Sequence, residues 1–325
     1  MIKRLVKAML GEKNTDRIRR IKLSLQAAKT SWHTQKFSEN PRDSLNLSLL
    51  QYVHMLEKAM VVGNAKYLSA VKYDKLIGSI SSLLQMGVPA DDFTIAESVA
   101  VIHSALGTLS GHDDEKSQLE ALVSQHNISA HGFRGGMEVI PSAEILSHTN
   151  IDFHGFVSSR HSVRKFKDKI IPREKIYDIV RDALYCPSAC NRQPFKVYFS
   201  EDKDKIAEII KCVPDTFISG GFHDCLIVTS DRGLVNSTEI DDQEYINGGI
   251  FLGYLAMSIH AHGLGSCLCQ MLQKDRRQEK AKRNFGISES EVIVCFVGIG
   301  ELEESVSVAC SQRRPAETVA VSLDN

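Results

Sequence analysis

A change of periodicity near residue 150 constrains this chain more than any other feature. Between residues 129 and 150 the chain collects Gly132, Gly135, Gly136, Pro141 and Ser142, a composition that interrupts regular structure and marks a connector. Before it, apolar residues recur at helical spacing. Leu68, Val71, Ile77, Ile80, Leu83 and Leu84 form one such run, ended by Gly87-Val88-Pro89. Further helices are predicted over residues 94–109 and 114–126, the second opened by acids that suit its positive end. After the connector the pattern alternates. Pro172 precedes a helix lined by Ile176, Ile179, Val180, Ala183 and Leu184. Strands are predicted at 195–199, 225–229, 265–270 and 291–297, with a long helix at 244–262 broken by Gly263-Leu264-Gly265. The chain therefore divides into a helical N-terminal domain, residues 1–148, and an α+β domain, residues 149–325.

Composition narrows the function classes. A net charge of -1 over 325 residues gives no field to hold nucleic acid. The eight cysteines all lie in the second half: Cys186, Cys190, Cys212, Cys225, Cys267, Cys269, Cys295 and Cys310. No two form C-x-x-C, and several sit in apolar runs, which fits buried thiols in a reducing, cytoplasmic compartment. His103, His112 and His126 lack the spacing of metal ligands, so no metal is expected. No apolar run reaches the length of a membrane span. In Met1 to Leu10, Lys3, Arg4 and Lys7 interleave with Ile2, Leu5, Val6, Met9 and Leu10. Lys7 interrupts the apolar stretch, which makes it a poor secretory signal. It reads as a first helix packed on its own domain, the alternative being contact with an anionic membrane surface.

Two polar stretches carry the chemistry. In Arg160-His161-Ser162-Val163-Arg164, alternate residues of an extended chain point the same way, so Arg160, Ser162 and Arg164 share a side. Two guanidiniums and a hydroxyl suit a phosphate and an electron-rich ring. One helix later comes Pro187-Ser188-Ala189-Cys190-Asn191-Arg192-Gln193-Pro194-Phe195, a stiffened loop whose Ser188, Asn191 and Gln193 offer hydrogen-bonding groups. No G-x-G-x-x-G follows a strand, and P-loop, H-E-x-x-H and G-x-S-x-G motifs are absent. Without a nucleophile or acid/base cluster, no protein residue is assigned as catalytic, and a cofactor is left to carry the chemistry.

In this order and spacing the two stretches resemble the flavin-binding elements of the nitroreductase family, and the likeness runs over about residues 153–325. It implies a mixed sheet flanked by helices, bound FMN and NAD(P)H as co-substrate. It further implies a ping-pong transfer of hydride through flavin N5 to an electron-poor small molecule, in a homodimer with the flavin at the interface. Arg160, His161 and Ser162 would hold the phosphate side, and Arg164 would stabilise the reduced ring. Pro187, Ser188, Ala189, Asn191 and Gln193 would close the site from the partner subunit. Gly263-Leu264-Gly265-Ser266-Cys267 is similar to the end of the family's central helix and the strand after it, which would set Leu268, Cys269 and Gln270 over the ring. Gln312-Arg313-Arg314-Pro315-Ala316-Glu317 resembles the closing motif, so Arg313 and Arg314 are further phosphate ligands. Where many relatives carry lysine, this chain has Ser311.

The helical half offers His54-Met55-Leu56-Glu57-Lys58-Ala59-Met60, with His54 and Lys58 neighbours on one helical face. A satisfied intrachain pair is expected there, with capping of the flavin site or substrate binding as the alternatives. The run is similar to a segment of long nitroreductase-like proteins, some from polysaccharide gene clusters. Three other functions stand beside the oxidoreductase: a flavoprotein for one biosynthetic step on a sugar or other metabolite, a flavin-binding protein without turnover, and a membrane-surface scaffold.

Overall fold

The computed structural model describes residues 41–129, 135–214, 219–235, 242–269 and 276–323. The Met1 to Leu10 segment and Gln270 lie outside them. The first unit is a helical bundle of α1 (Pro41–Val61), α2 (Ala65–Ala70), α3 (Tyr73–Gln85), α4 (Phe93–Gly107) and α5 (Asp113–His126). Local chemistry sets its boundaries. Asn64 caps α2 by accepting from Tyr67 N at 3.1 Å, and Asp92 caps α4 by accepting from Thr94 N at 2.9 Å. The apolar run at 68–84 belongs to two helices, because Val71 turns extended (ψ 138°). That bend lets Leu68 and Tyr73 both enter the core, where the Tyr73 hydroxyl donates to Leu68 O at 3.1 Å. Leu49, Val53, Leu56, Ile80, Ile95 and Ile102 meet in one cluster, and each such side chain removed from water contributes about 2 kcal/mol.

Beyond the connector, which holds the short α6 (Ser142–Ile145), the order is α7 (Phe153–Ser159), α8 (Arg173–Ala183), β1 (Phe195–Tyr198), α9 (Lys203–Cys212), β2 (Cys225–Asp231), α10 (Gln243–Ala261), β3 (Gly265–Cys269), α11 (Arg276–Phe285) and β4 (Glu291–Gly300). The strands form one antiparallel sheet, β1-β2-β4-β3. Helices α8 and α10 pack on one face over Ile179, Phe251, Val228 and Val297; α9 and α11 cover the other over Ile209, Ile227 and Phe296. Burial from both sides explains why β2 reads as a continuous apolar run rather than an alternating one. Helix α10 rests directly on β4 through Gly248, where a Cβ would stand 2.5 Å from Val294 Cγ2. The bundle and the sheet keep separate apolar clusters.

Two buried acids tie the sheet together. Glu291 is 1% exposed. It accepts from Lys196 Nζ (2.7 Å), Thr229 Oγ1 (2.6 Å) and the Tyr198 hydroxyl (2.9 Å). Asp224 accepts from Ile171 N at 2.9 Å and from Cys225 N at 2.8 Å, which fixes the chain after the arginine stretch to the start of β2. Burial pushes the Asp224 carboxyl up to about 6, against the two backbone N–H bonds that favour its charged form. The sign follows from linkage. The native carboxyl keeps its proton up to about pH 6, whereas the unfolded chain loses it near 3.8. Its contribution is full below that lower value and is lost as pH rises through 6, by about 3 kcal/mol at most. Urea midpoints at pH 4.5 and 6.5 should accordingly differ by less in Asp224→Asn than in the wild type. An unchanged pH difference would remove Asp224 as the cause.

Candidate functional site

The arginine stretch lies along the free edge of β3. Arg160 ends α7 with extended backbone, Ser162 pairs in parallel with Ser266, and Val163 N donates to Ser266 O at 2.9 Å. This pairing turns Val163 into the core and leaves Arg160 and Ser162 half-buried and Arg164 exposed. Arg164 Nη1 donates to Ser162 O at 3.0 Å, which draws its guanidinium back along the segment. His161 faces solvent. The field of the two arginines reaches the sheet. The Cys267 thiol is pulled down, first by the hydrogen bond with Cys269, then, against burial, by Arg164 and Arg160. Anchoring at Ser266 thus brings both cations to one strand.

The second stretch is a strained loop. Three residues have left-handed backbone: Cys190 (φ 50°), Asn191 (φ 50°) and Gln193 (φ 45°). Asparagine tolerates this, whereas cysteine and glutamine are held there by their surroundings. Ser188 bonds the loop twice, its carbonyl to Asn191 N and its hydroxyl to Gln193 N, both at 3.1 Å. Arg192, only 2% exposed, spans two turns: Nε donates to Ala189 O (2.8 Å) and Nη1 to Leu234 O (2.5 Å). From α10, Asn247 Oδ1 accepts from Ala189 N and from Gln243 Nε2, each at 3.2 Å. These two donors fix the amide, so its Nδ2 is a buried donor with no partner among the described residues. An unpaired donor beside a held loop fits an acceptor-rich ligand.

Not every residue singled out in the sequence joins this arrangement. Leu268 is half-buried, and the Cys269 side chain sits in the core beneath the sheet, leaving only its backbone for a ligand. Arg313 and Arg314 are exposed on the C-terminal tail, where Arg313 Nη1 bonds Ser311 O at 2.5 Å. Among the described residues no hydrogen bond or ion pair joins either to Arg160, Ser162 or Arg164. Pro187 and Asn191 are exposed; Ser188, Ala189 and Gln193 are half-buried. Arg192 and Asn247 carry the loop yet drew no attention in the sequence. Arg192 reads as a solvated cation until Leu234, 42 residues away, supplies its acceptor. An asparagine inside the apolar helix around residue 247 was the one available sign of the other.

In the bundle, His54 Nδ1 and Glu57 Oε2 lie 3.3 Å apart, so the pair is His54–Glu57, with Lys58 exposed beside it. Burial, then Lys58, lowers the imidazole, and burial raises Glu57. All eight cysteines are free, and seven of them are buried or half-buried. Among the described residues no cluster could hold a metal, and no helix is long and apolar enough to cross a membrane.

Residues 157–223 match the family model described as Nitroreductase family. A search of curated proteins finds no match. Similar solved structures include an FMN-dependent nitroreductase from Clostridium difficile R20291, 21% identical, covering 53% of this chain and 99% of its own (TM-score 0.45). A protein from Exiguobacterium sibiricum described as a nitroreductase in complex with FMN is 18% identical over 53% of this chain and 97% of its own (TM-score 0.45). One from Staphylococcus epidermidis described as an NAD(P)H:FMN oxidoreductase is 19% identical over 53% and 96% (TM-score 0.46).

Proposed function

We infer that this chain, whose residues 157–223 are nitroreductase-family sequence, is an NAD(P)H-dependent FMN oxidoreductase. The observation that carries the reading is the docking of the arginine stretch on β3, which presents two guanidiniums and a hydroxyl together. That donor set fits FMN. Arg160 and Ser162 would hold the phosphate, with His161 beside them. Arg164 would oppose the negative charge that gathers on the reduced ring, a role suited to a fixed cation. FMN when bound supplies hydride transfer, from NAD(P)H and then to an electron-poor acceptor, in a ping-pong cycle. The protein's part is to bind, orient and shield. Similar structures are described as holding FMN or as using NAD(P)H, which supports both assignments.

The reading includes a homodimer in the cytoplasm, with the division near residue 148 separating the bundle from the flavin domain. Tyr245, Ile246, Ile250 and Tyr254 of α10 are exposed, as are Val319, Val321 and Leu323 of the tail. Apolar surface of this kind in one chain supports burial by a second copy. Pro187, Ser188, Ala189, Asn191 and Gln193 would then complete the partner's site. Arg313 and Arg314 would reach a phosphate by way of that same tail. A bundle packed against the flavin loop favours one specific acceptor, such as a biosynthetic metabolite, over generic quinone reduction.

Titration with FMN tests the reading. The wild type should bind with visible quenching of flavin fluorescence, and Arg164→Ala should weaken binding about tenfold or more, the loss of one charge-assisted contact. It should also lower the flavin midpoint potential. A protein that takes up no FMN would overturn the assignment, and unchanged affinity and potential in the variant would remove the role of Arg164. Mixing with NADH or NADPH should bleach the flavin band; a band that persists with both identifies a flavin-binding protein without turnover.

A further inference from the structure

Helix α1 has two buried faces, and one of them lies in the bundle's apolar cluster. Leu49, Val53, Leu56 and Met60 enter the bundle core. Leu47 and Leu50 are also buried, at 8% and 5% exposure, yet lie in none of the apolar clusters. At about 100° per residue, Leu47, Leu50, His54 and Glu57 fall within about 80° of one another, roughly 110° round from the core stripe. Beyond its bundle, α1 packs on the turns Ala189–Asn191 and Arg232–Leu234. These are the turns that the buried Arg192 guanidinium ties together. The burial of the second face and these packing contacts together point to one seat for it, the strained loop of the candidate site.

We propose that α1 is a positioning helix, in which Leu47 and Leu50 clamp the loop 188–193 so that Cys190, Asn191 and Gln193 keep their left-handed conformation, and the bundle thereby sets the geometry of the site. The clamp acts from above, Arg192 ties the loop to its neighbouring turn, and Asn247 holds Ala189 from α10. Strained backbone persists only where surrounding contacts over-determine it, and three such residues within four positions need support on more than one side. The hydrogen-bonded His54–Glu57 pair continues the same face, so the clamp ends in the bundle's own polar pair. The loop's importance for a ligand rests on the flavin reading; the clamp itself does not.

The test compares the full-length wild type, Leu47→Ala/Leu50→Ala and Val53→Ala, each without added flavin, by hydrogen exchange of peptides covering residues 186–195. Val53 lies in the bundle's apolar cluster, so its variant reports general loosening. The double variant should exchange about tenfold faster in the loop while the sheet peptides stay protected, and Val53→Ala should leave the loop unchanged. FMN affinity should fall about tenfold in the double variant alone. Unchanged loop protection in the double variant would overturn the proposal. So would equal acceleration in Val53→Ala. Where the double variant does not fold, Leu47→Ala alone is read by the same criteria. Faster loop exchange in a protein that binds no FMN would uphold the clamp and reject the flavin reading, so the two fail separately.

Discussion

Arg192→Ala is expected to destabilise the protein by about 4 kcal/mol and to abolish measurable FMN binding. The guanidinium is 2% exposed and bridges Ala189 O and Leu234 O at 2.8 and 2.5 Å. Truncation takes from Leu234 O its bond to this side chain and leaves Ala189 O with the backbone bond from residue 192 alone, at about 1–3 kcal/mol together, and opens a cavity where the side chain lay. The loop also loses the tie that offsets the strain at Cys190, Asn191 and Gln193, so the site should suffer beyond its share of global stability. Arg192→Lys should recover only part of the loss, because a single ammonium cannot reproduce two donors held in a planar fork. Urea unfolding paired with FMN titration checks both effects. A loss below about 1 kcal/mol, the range of ordinary surface substitutions, would show that the guanidinium is not a strut.

Glu291→Ala comes second, at about 3 kcal/mol. Its carboxylate, 1% exposed, collects a lysine, a tyrosine and a threonine from β1 and β2. Removing it strands the Thr229 hydroxyl, which is fully buried, and unpairs Lys196 Nζ. Breaking a buried ion pair costs about 3–5 kcal/mol; the lower end applies because Lys196 is 54% exposed and can turn to water. Glu291→Gln should cost less, since one oxygen remains to accept. The contrast with Arg192 is informative. Among the described residues no hydrogen bond joins the Glu291 side chain to either polar stretch, so FMN affinity measured below the unfolding transition should stay within about twofold of wild type. A large loss of affinity would show that the sheet end and the flavin edge are coupled.

Element types were largely legible from residue periodicity. The helices at 93–107 and 113–126, the long helix at 243–261 and all four strands stand within a few residues of their predicted spans. Their apolar spacing and their glycine and proline boundaries are local signals, and both read directly. The break at Val71 was not legible, because it exists to bury Leu68 and Tyr73 together, a choice made by the bundle core. The same distinction runs through the site. Arg160, Ser162 and Arg164 were visible as chemistry, since residue types and alternation alone suggest a phosphate and a ring. That they lie on β3 was not, because the parallel pairing of Ser162 with Ser266 joins segments about a hundred residues apart.

What the sequence determined by itself was therefore the inventory: a helical half, an α+β half, and two polar stretches with flavin-like chemistry. Tertiary structure alone decided which residues hold those stretches in place. A buried Arg192 needs Leu234, a half-satisfied Asn247 needs Ala189, and the second face of α1 needs the turn at 189–191. Each dependence joins residues far apart in the chain. Such contacts follow from which faces must leave water and which buried donors must find acceptors, and neither demand leaves a periodic mark in the sequence.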